Sequence, residues 1–188
     1  MTGLNRKQRR AMAARDIKTL KTSEFQENFT KRLQNTVNGV GVLSLSAADR
    51  NILLWSHYAA GHTGLCLKFA ATDHTTFFGR SLPVLYKEVC PDLSMVSSAD
   101  EHIDAFLLTK AIDWSYEEEY RIIDHDNGAG DKVFPPEHLL GVIFGARMAP
   151  PDKQVVSGWA STRKFPIEIF EAFVVPGEFS LGIRPYKG

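Results

Sequence analysis

The chain has 188 residues, 44% hydrophobic and 23% charged, which is the composition of a globular domain and not of a disordered or fibrous chain. No run approaches the roughly 18 uninterrupted apolar residues of a membrane helix, and the basic start has no apolar signal core, so neither a membrane nor a secretory role is expected. Formal net charge is zero, yet residues 1–32 hold nine Lys/Arg against three Asp/Glu, a net +6 that leaves −6 for the remainder. Cys66 and Cys90 are too few for a disulfide framework and lack zinc-site spacing, which fits a reducing cytoplasm.

Residues 1–22 read as a basic N-terminal arm that need not pack. Such an arm is either a solvated helix or tail, or a contact for nucleic acid or an acidic partner. Residues 23–188 read as a single domain. Its first helix is signalled by the Ser23/Gln26 capping-box spacing and by Phe25, Phe29, Leu33 and Val37 recurring every four residues, with Asn38-Gly39 as its end. Val40 to Ser46 is expected as a short buried strand, after which Ser46 caps a helix to about Ala60, with Asp49 in its first turn and Gly61 just past its end. Leu65 to Phe69 is a strand, and Pro83 to Val89 another.

Ser98 and Glu101 repeat the capping-box spacing, and Ile103, Phe106, Leu107 and Ala111 mark a helical face. Tyr120 to Ile123 is a strand that turns at Asn127-Gly128. Val133-Phe134 and Val142 to Phe144 look extended, residues 151–161 helical, and Ile167 to Val175 a long last strand. Helices interleave with strands without a regular βαβ rhythm, so the fold class is α+β, a mixed and mainly antiparallel sheet with flanking helices.

Four clusters carry candidate chemistry. Ser44 and Ser46, two apart on a strand, face one side and can line a cleft, although Ser46 also serves as a helix cap. Trp55-Ser56-His57-Tyr58 and Gly61-His62-Thr63-Gly64 gather aromatic faces for a flat ring and two histidines suited to proton transfer. The plainer alternative makes Trp55 and Tyr58 core residues and lets His57 or His62 cap carbonyls; a metal site is poorly supported by His57 and His62 alone. Trp114-Ser115-Tyr116-Glu117-Glu118-Glu119-Tyr120-Arg121 is the most informative segment. In a strand, Glu117, Glu119 and Arg121 share one face, where the guanidinium can hold a carboxylate ionised; otherwise this is a solvated acidic edge. Phe144-Gly145-Ala146-Arg147 is either a plain strand-to-loop turn or an offer of free N–H groups to an anion. The chain has no Gly-Lys-Ser/Thr, no Gly-x-Gly-x-x-Gly and no serine nucleophile elbow.

The order of these segments, from Val42-Leu43-Ser44-Leu45-Ser46 through Trp55-Ser56-His57-Tyr58-Ala59, Leu65 to Phe69, Val84 to Tyr86, Leu108-Thr109-Lys110 and Trp114 to Arg121, to Val142-Ile143-Phe144-Gly145, resembles the bacterial domain-of-unknown-function family 2971 over about residues 25–185. That family's pattern opens with an aromatic-rich strand and an Asn-Asp-Pro-Phe-like segment, and neither is present here. A second, weaker resemblance is to the layout of ADP-ribosyltransferases: Ser-x-Ser early, aromatics in the middle, Glu-x-Glu late. It implies cleavage of the nicotinamide–ribose bond of NAD through an oxocarbenium-like transition state. Glu119 would then hold the ribose hydroxyl and steady the cation, and Glu117 would orient or deprotonate the acceptor. Ser44 and Ser46 would support the pocket, and Trp55 or Tyr58 would stack on nicotinamide. The Arg or His that such enzymes place on their first strand belongs to the portion that differs here, which leaves an inactive partial copy as an alternative.

Three function classes stay open. The first is an NAD-using transferase or glycohydrolase built on Glu119, with NAD as substrate and no firmly expected cofactor. It requires Glu119 and Ser44 in one aromatic cleft. The second is a non-catalytic module for a nucleotide or nucleic acid, using Trp55, His57, Tyr58 and the basic arm. The third is a metal-independent hydrolase with His57 as general base. His62 and Arg121 complete the candidate binding residues.

Overall fold

A computed structural model describes Lys31, Asn35 and residues 38–90 and 105–188. The basic arm, most of the Phe25 helix and the Ser98/Glu101 capping box lie outside the described residues.

Among the described residues nine strands form three sheets. β1 (Gly41–Ser46), β6 (Glu119–Asp124) and β3 (Leu82–Pro83) make a three-stranded sheet in the order β1-β6-β3. β2 (Leu65–Phe69), β7 (Leu139–Phe144), β8 (Glu168–Val174) and β9 (Leu181–Pro185) make a four-stranded sheet in that order. β4 (Leu85–Lys87) and β5 (Thr109–Ala111) pair in parallel. β7 and β8 are the other parallel pair, and the β1–β6, β3–β6, β2–β7 and β8–β9 ladders are antiparallel. With α1 (Ile52–Tyr58) and α2 (Pro150–Ser161), this is the expected α+β fold with mixed, mainly antiparallel sheets.

β7 explains why its sequence reads as a continuous apolar run. It lies between β2 and β8, and Gly141 to Phe144 are all buried, so both faces are covered. Ile143 packs with Trp55 of α1, with Ala59 just past its end, and with Ala172 and Leu181 of β8 and β9. A second apolar centre is aromatic: Phe78 is fully buried, stacks on Phe69 at 4.3 Å and meets Phe134 edge-on at 5.2 Å.

Several local expectations are corrected. β1 is an exposed strand rather than a buried one, because among the described residues only β6 flanks it and Val42, Leu43 and Ser44 remain open. Helix α1 starts at Ile52, and its cap is Asn51, whose Oδ1 accepts from the N–H groups of Leu53 (2.9 Å) and Leu54 (3.3 Å). Ser46 is therefore free for another task. The Pro83–Val89 strand is split at Val84, whose N–H donates to the Glu119 carbonyl at 2.9 Å. Residues 105–107 are helical, but the chain is extended again from Thr109, so Ala111 belongs to β5. Glu117 closes a 3₁₀ turn (Ile112–Glu117), and Glu118 takes φ 44°, so the strand begins only at Glu119. Strand β9 was not foreseen. The Asn127-Gly128 turn is present, held by the Asn127 N–H donating to Asp124 Oδ1 at 3.0 Å.

The Gly145 segment is not an anion cradle. Its N–H donates to the Gly64 carbonyl and that of Arg147 to the His62 carbonyl, both at 2.9 Å, which ties β7 to the turn after α1. A Cβ at position 145 would stand 2.2 Å from the His62 oxygen. Gly145→Ala is expected to lower unfolding stability by about 2–3 kcal/mol, read by denaturant melts, because backbone and not a movable side chain blocks the methyl group.

Candidate functional site

The described residues enclose an open cleft of about 720 Å³ between β1, α1, β2 and the β5–β6 segment. One wall is apolar, formed by Leu54, Trp55, Leu65, Leu67, Phe69 and Ile143; the other carries Ser44, Ser46, Tyr58, Lys110, Glu117, Glu119 and Arg121. The β1–β6 register explains the second wall. Ser44 lies opposite Arg121 and Ser46 opposite Glu119, so the Ser-x-Ser strand is hydrogen-bonded to the Glu-x-Glu segment.

Two carboxylates dominate this wall, and both are nearly inaccessible to solvent. Glu119 Oε1 accepts from Arg121 Nε at 2.7 Å, while Oε2 accepts from Arg121 Nη2 at 3.0 Å and from Lys110 Nζ at 3.1 Å. The Ser44 hydroxyl on the facing strand also favours the charged form. Burial alone would push the Glu119 carboxyl up, and it is the largest single influence. The bonds from Arg121, Ser44 and Lys110 together outweigh it and hold the group at about 2. Glu117 takes fewer partners: Tyr58 Oη donates to Oε1 at 2.9 Å, and Lys110 Nζ donates to Oε2.

A carboxylate has about four acceptor positions; Lys110 and Arg121 fill three on Glu119, and Tyr58 and Lys110 fill two on Glu117, which keeps the larger spare capacity. Glu118 between them is exposed, because its left-handed backbone turns it away from the pair it separates.

Lys110 is the residue the sequence did not single out. Burial disfavours its charge, but its bonds to Glu117 and Glu119 reverse that and raise its pKa, so it stays a cation. The bond to Glu117 likewise raises the Tyr58 hydroxyl above its usual range, with burial adding to it. Its signal was spacing: Lys110 leads into the aromatic-acidic segment, at the start of the turn that ends in Glu117. Only the extended β5 backbone reveals that Nζ reaches both carboxylates.

The remaining candidates divide. Ser46 Oγ donates to the Glu117 carbonyl at 2.6 Å and accepts the Ala48 N–H, so it fixes the backbone at Glu117. Trp55 is 3% exposed, with its indole N–H donating to the Asp49 carbonyl; it is a core residue with an edge on the cleft and no free face for stacking. His57 stands outside the cleft lining, exposed, with Nδ1 3.4 Å from the Tyr116 hydroxyl and, among the described residues, no carboxylate orienting it. His62 is also outside, its Nε2 3.0 Å from Ser56 Oγ. The Ser56 hydroxyl already donates to the Ile52 carbonyl, so His62 is the donor in that pair. Among the described residues no three His, Cys, Asp or Glu side chains converge as a metal-binding group, and no helix is long and apolar enough to cross a membrane.

Fold and cleft together define an α+β protein with a paired-carboxylate site between two sheets. Residues 54–122 match the model of a family described as "Protein of unknown function (DUF2971)", and the resemblance drawn from the sequence holds over this stretch. The matched segment carries all but the first two residues of α1, Lys110, both carboxylates and Arg121, while Ser44 and Ser46 precede it. No curated protein and no solved structure matched the chain.

Proposed function

We propose that the chain is an ADP-ribosyltransferase-like enzyme that breaks the nicotinamide–ribose bond of NAD. The observation that carries this reading is the pair of buried carboxylates gathered by Lys110 on the polar wall of an otherwise apolar cleft. As the bond breaks, its electron pair leaves with nicotinamide and neutralises that ring, and positive charge develops on the ribose. A carboxylate already ionised and already desolvated stabilises that charge without reorganising. Glu117, with acceptor positions to spare, is the group that takes the ribose hydroxyl. It also takes the proton of the attacking water or acceptor as that oxygen bonds to the anomeric carbon. Glu119 serves by keeping Lys110 and Arg121 in place, and Ser46 by fixing the Glu117 backbone.

A second reading is favoured by one specific feature: each carboxylate is matched by a cation, which blunts the field at the anomeric carbon. On that reading the cleft binds a nucleotide without cleaving it. Titration with NAD, followed by calorimetry for binding and chromatography for free nicotinamide, separates the two. Release of nicotinamide is the expected result. Binding without release selects the non-catalytic reading, and no binding at millimolar NAD overturns both.

A further inference from the structure

The aromatic residues in and around the cleft sort into buried and open ones. Trp55 is closed into the core, but Tyr58, which lines the cleft, is followed outside it by a chain of neighbouring rings, His57, Trp114 and Tyr116. The His57 ring lies 6.2 Å from that of Tyr58 and 6.3 Å from that of Trp114, both edge-on, and Trp114 lies 6.0 Å from Tyr116. Trp114 is 37% exposed, although an indole is among the side chains that gain most from burial. Lys110 joins these rings to the cleft, because its Nζ sits 5.1 Å from the centre of the Trp114 ring while it holds Glu117 and Glu119. The open indole and the Glu117 carboxylate are therefore neighbours of one ammonium group.

Charge offers a ligand little at this end of the cleft, since Lys110 and Arg121 are both engaged by carboxylates. Affinity has to come from hydroxyl contacts inside and from stacking at the rim, where a base–aromatic pair contributes about 1–3 kcal/mol. We propose that Trp114, steadied by His57 and Tyr116, is the stacking platform for the planar heteroaromatic ring of a small nucleoside-type ligand whose sugar lies at Glu117. The placement of the sugar rests on the proposed reaction; the platform does not.

The test uses adenosine as the probe and ribose as a control without the ring. Calorimetry is run on the full chain and on its Trp114→Leu and Trp114→Phe variants, with circular dichroism to verify folding. Adenosine is expected to bind about tenfold or more weakly to Trp114→Leu and within about threefold of the parent to Trp114→Phe, with ribose alone giving no heat. In a Trp159→Phe background, which removes the more exposed indole of α2, adenosine is expected to quench the remaining solvent-accessible tryptophan. Equal affinity in Trp114→Leu, or no binding by the parent, overturns the platform. A single-stranded oligonucleotide that binds through Trp114 far more tightly than adenosine overturns the small-ligand assignment. If NAD is not cleaved but adenosine binding depends on Trp114, the proposed reaction fails and the platform stands. If NAD is cleaved with unchanged KM in Trp114→Leu, the platform fails and the reaction stands.

Discussion

A Glu117→Gln protein is expected to fold and to release nicotinamide from NAD at least about 100-fold more slowly than the parent, the usual scale for loss of a positioned proton acceptor. The amide keeps a carbonyl that can still accept from Tyr58 Oη, so the 2.9 Å contact has a replacement. Lys110 keeps Glu119 as its counter-ion. The folding cost should therefore be about 1–3 kcal/mol, because the amide N–H₂ takes the place of Oε2 and faces the Lys110 ammonium. What the substitution removes is the negative charge and the basic oxygen, which the proposed step requires and the fold does not. The measurement is nicotinamide release under single-turnover conditions, beside a thermal melt. Full activity in Glu117→Gln would return the chemistry to Glu119 or rule it out for this wall.

The separate roles of the two glutamates mark where sequence reasoning reached and where it stopped. Strand periodicity brings Ser44 and Ser46 to one face, and β1 carries both to the cleft. The longer elements were equally plain: Leu65–Phe69 as a strand, Pro150–Ser161 as a helix and Glu168–Val174 as a strand, each within a residue or two of expectation. Strand alternation also put Glu117, Glu119 and Arg121 on one side. They do converge, but by another route, since the chain reaches Glu117 through a 3₁₀ turn and re-enters the strand past a left-handed Glu118. Alternation is a local rule and carries no sign of that turn.

Hydrogen-bond saturation is less legible still. Glu119 carries three bonds because Lys110 arrives from β5 to join the two from Arg121. The capping rule misled at Ser46 for a related reason. Ser46 has the right residue type for a cap, but Asn51 is nearer to the first apolar turn, and Ser46 is needed by the Glu117 carbonyl. Trp55 illustrates the limit for aromatics. A core indole and a stacking indole have the same composition, and only the burial of Trp55 beside the openness of Trp114 tells them apart.

Glu119→Gln is expected to damage the fold itself. The side chain is 6% exposed and accepts from two cations that are themselves mostly covered, so neutralising it leaves Arg121 and part of Lys110 buried without full compensation. Breaking one partner out of such a network costs about 3 kcal/mol. Because the strand geometry that aims Glu117 depends on these bonds, nicotinamide release should fall as well, but through loss of folded protein and a raised KM.

The same group sets an acid limit. Its carboxyl lies at about 2 in the fold against 4.5 for the free side chain, so its contribution to stability is complete above about pH 4.5 and is lost as pH falls towards 2. Allowing for water in the open cleft, that contribution is on the order of 2 kcal/mol. Asp124, held near 2 chiefly by the Asn127 backbone N–H and also by Lys132, loses its stabilising effect over a similar window, so the acid limb has two sources. Chemical denaturation at a series of pH values, with Glu119→Gln and Asp124→Asn side by side, separates them. Each variant should flatten part of the decline between pH 4.5 and 2. A Glu119→Gln protein as stable as the parent at neutral pH, with an unchanged acid limb, would mean that the Lys110–Arg121 clamp contributes nothing. Glu119 would then be a candidate for direct contact with substrate alongside Glu117.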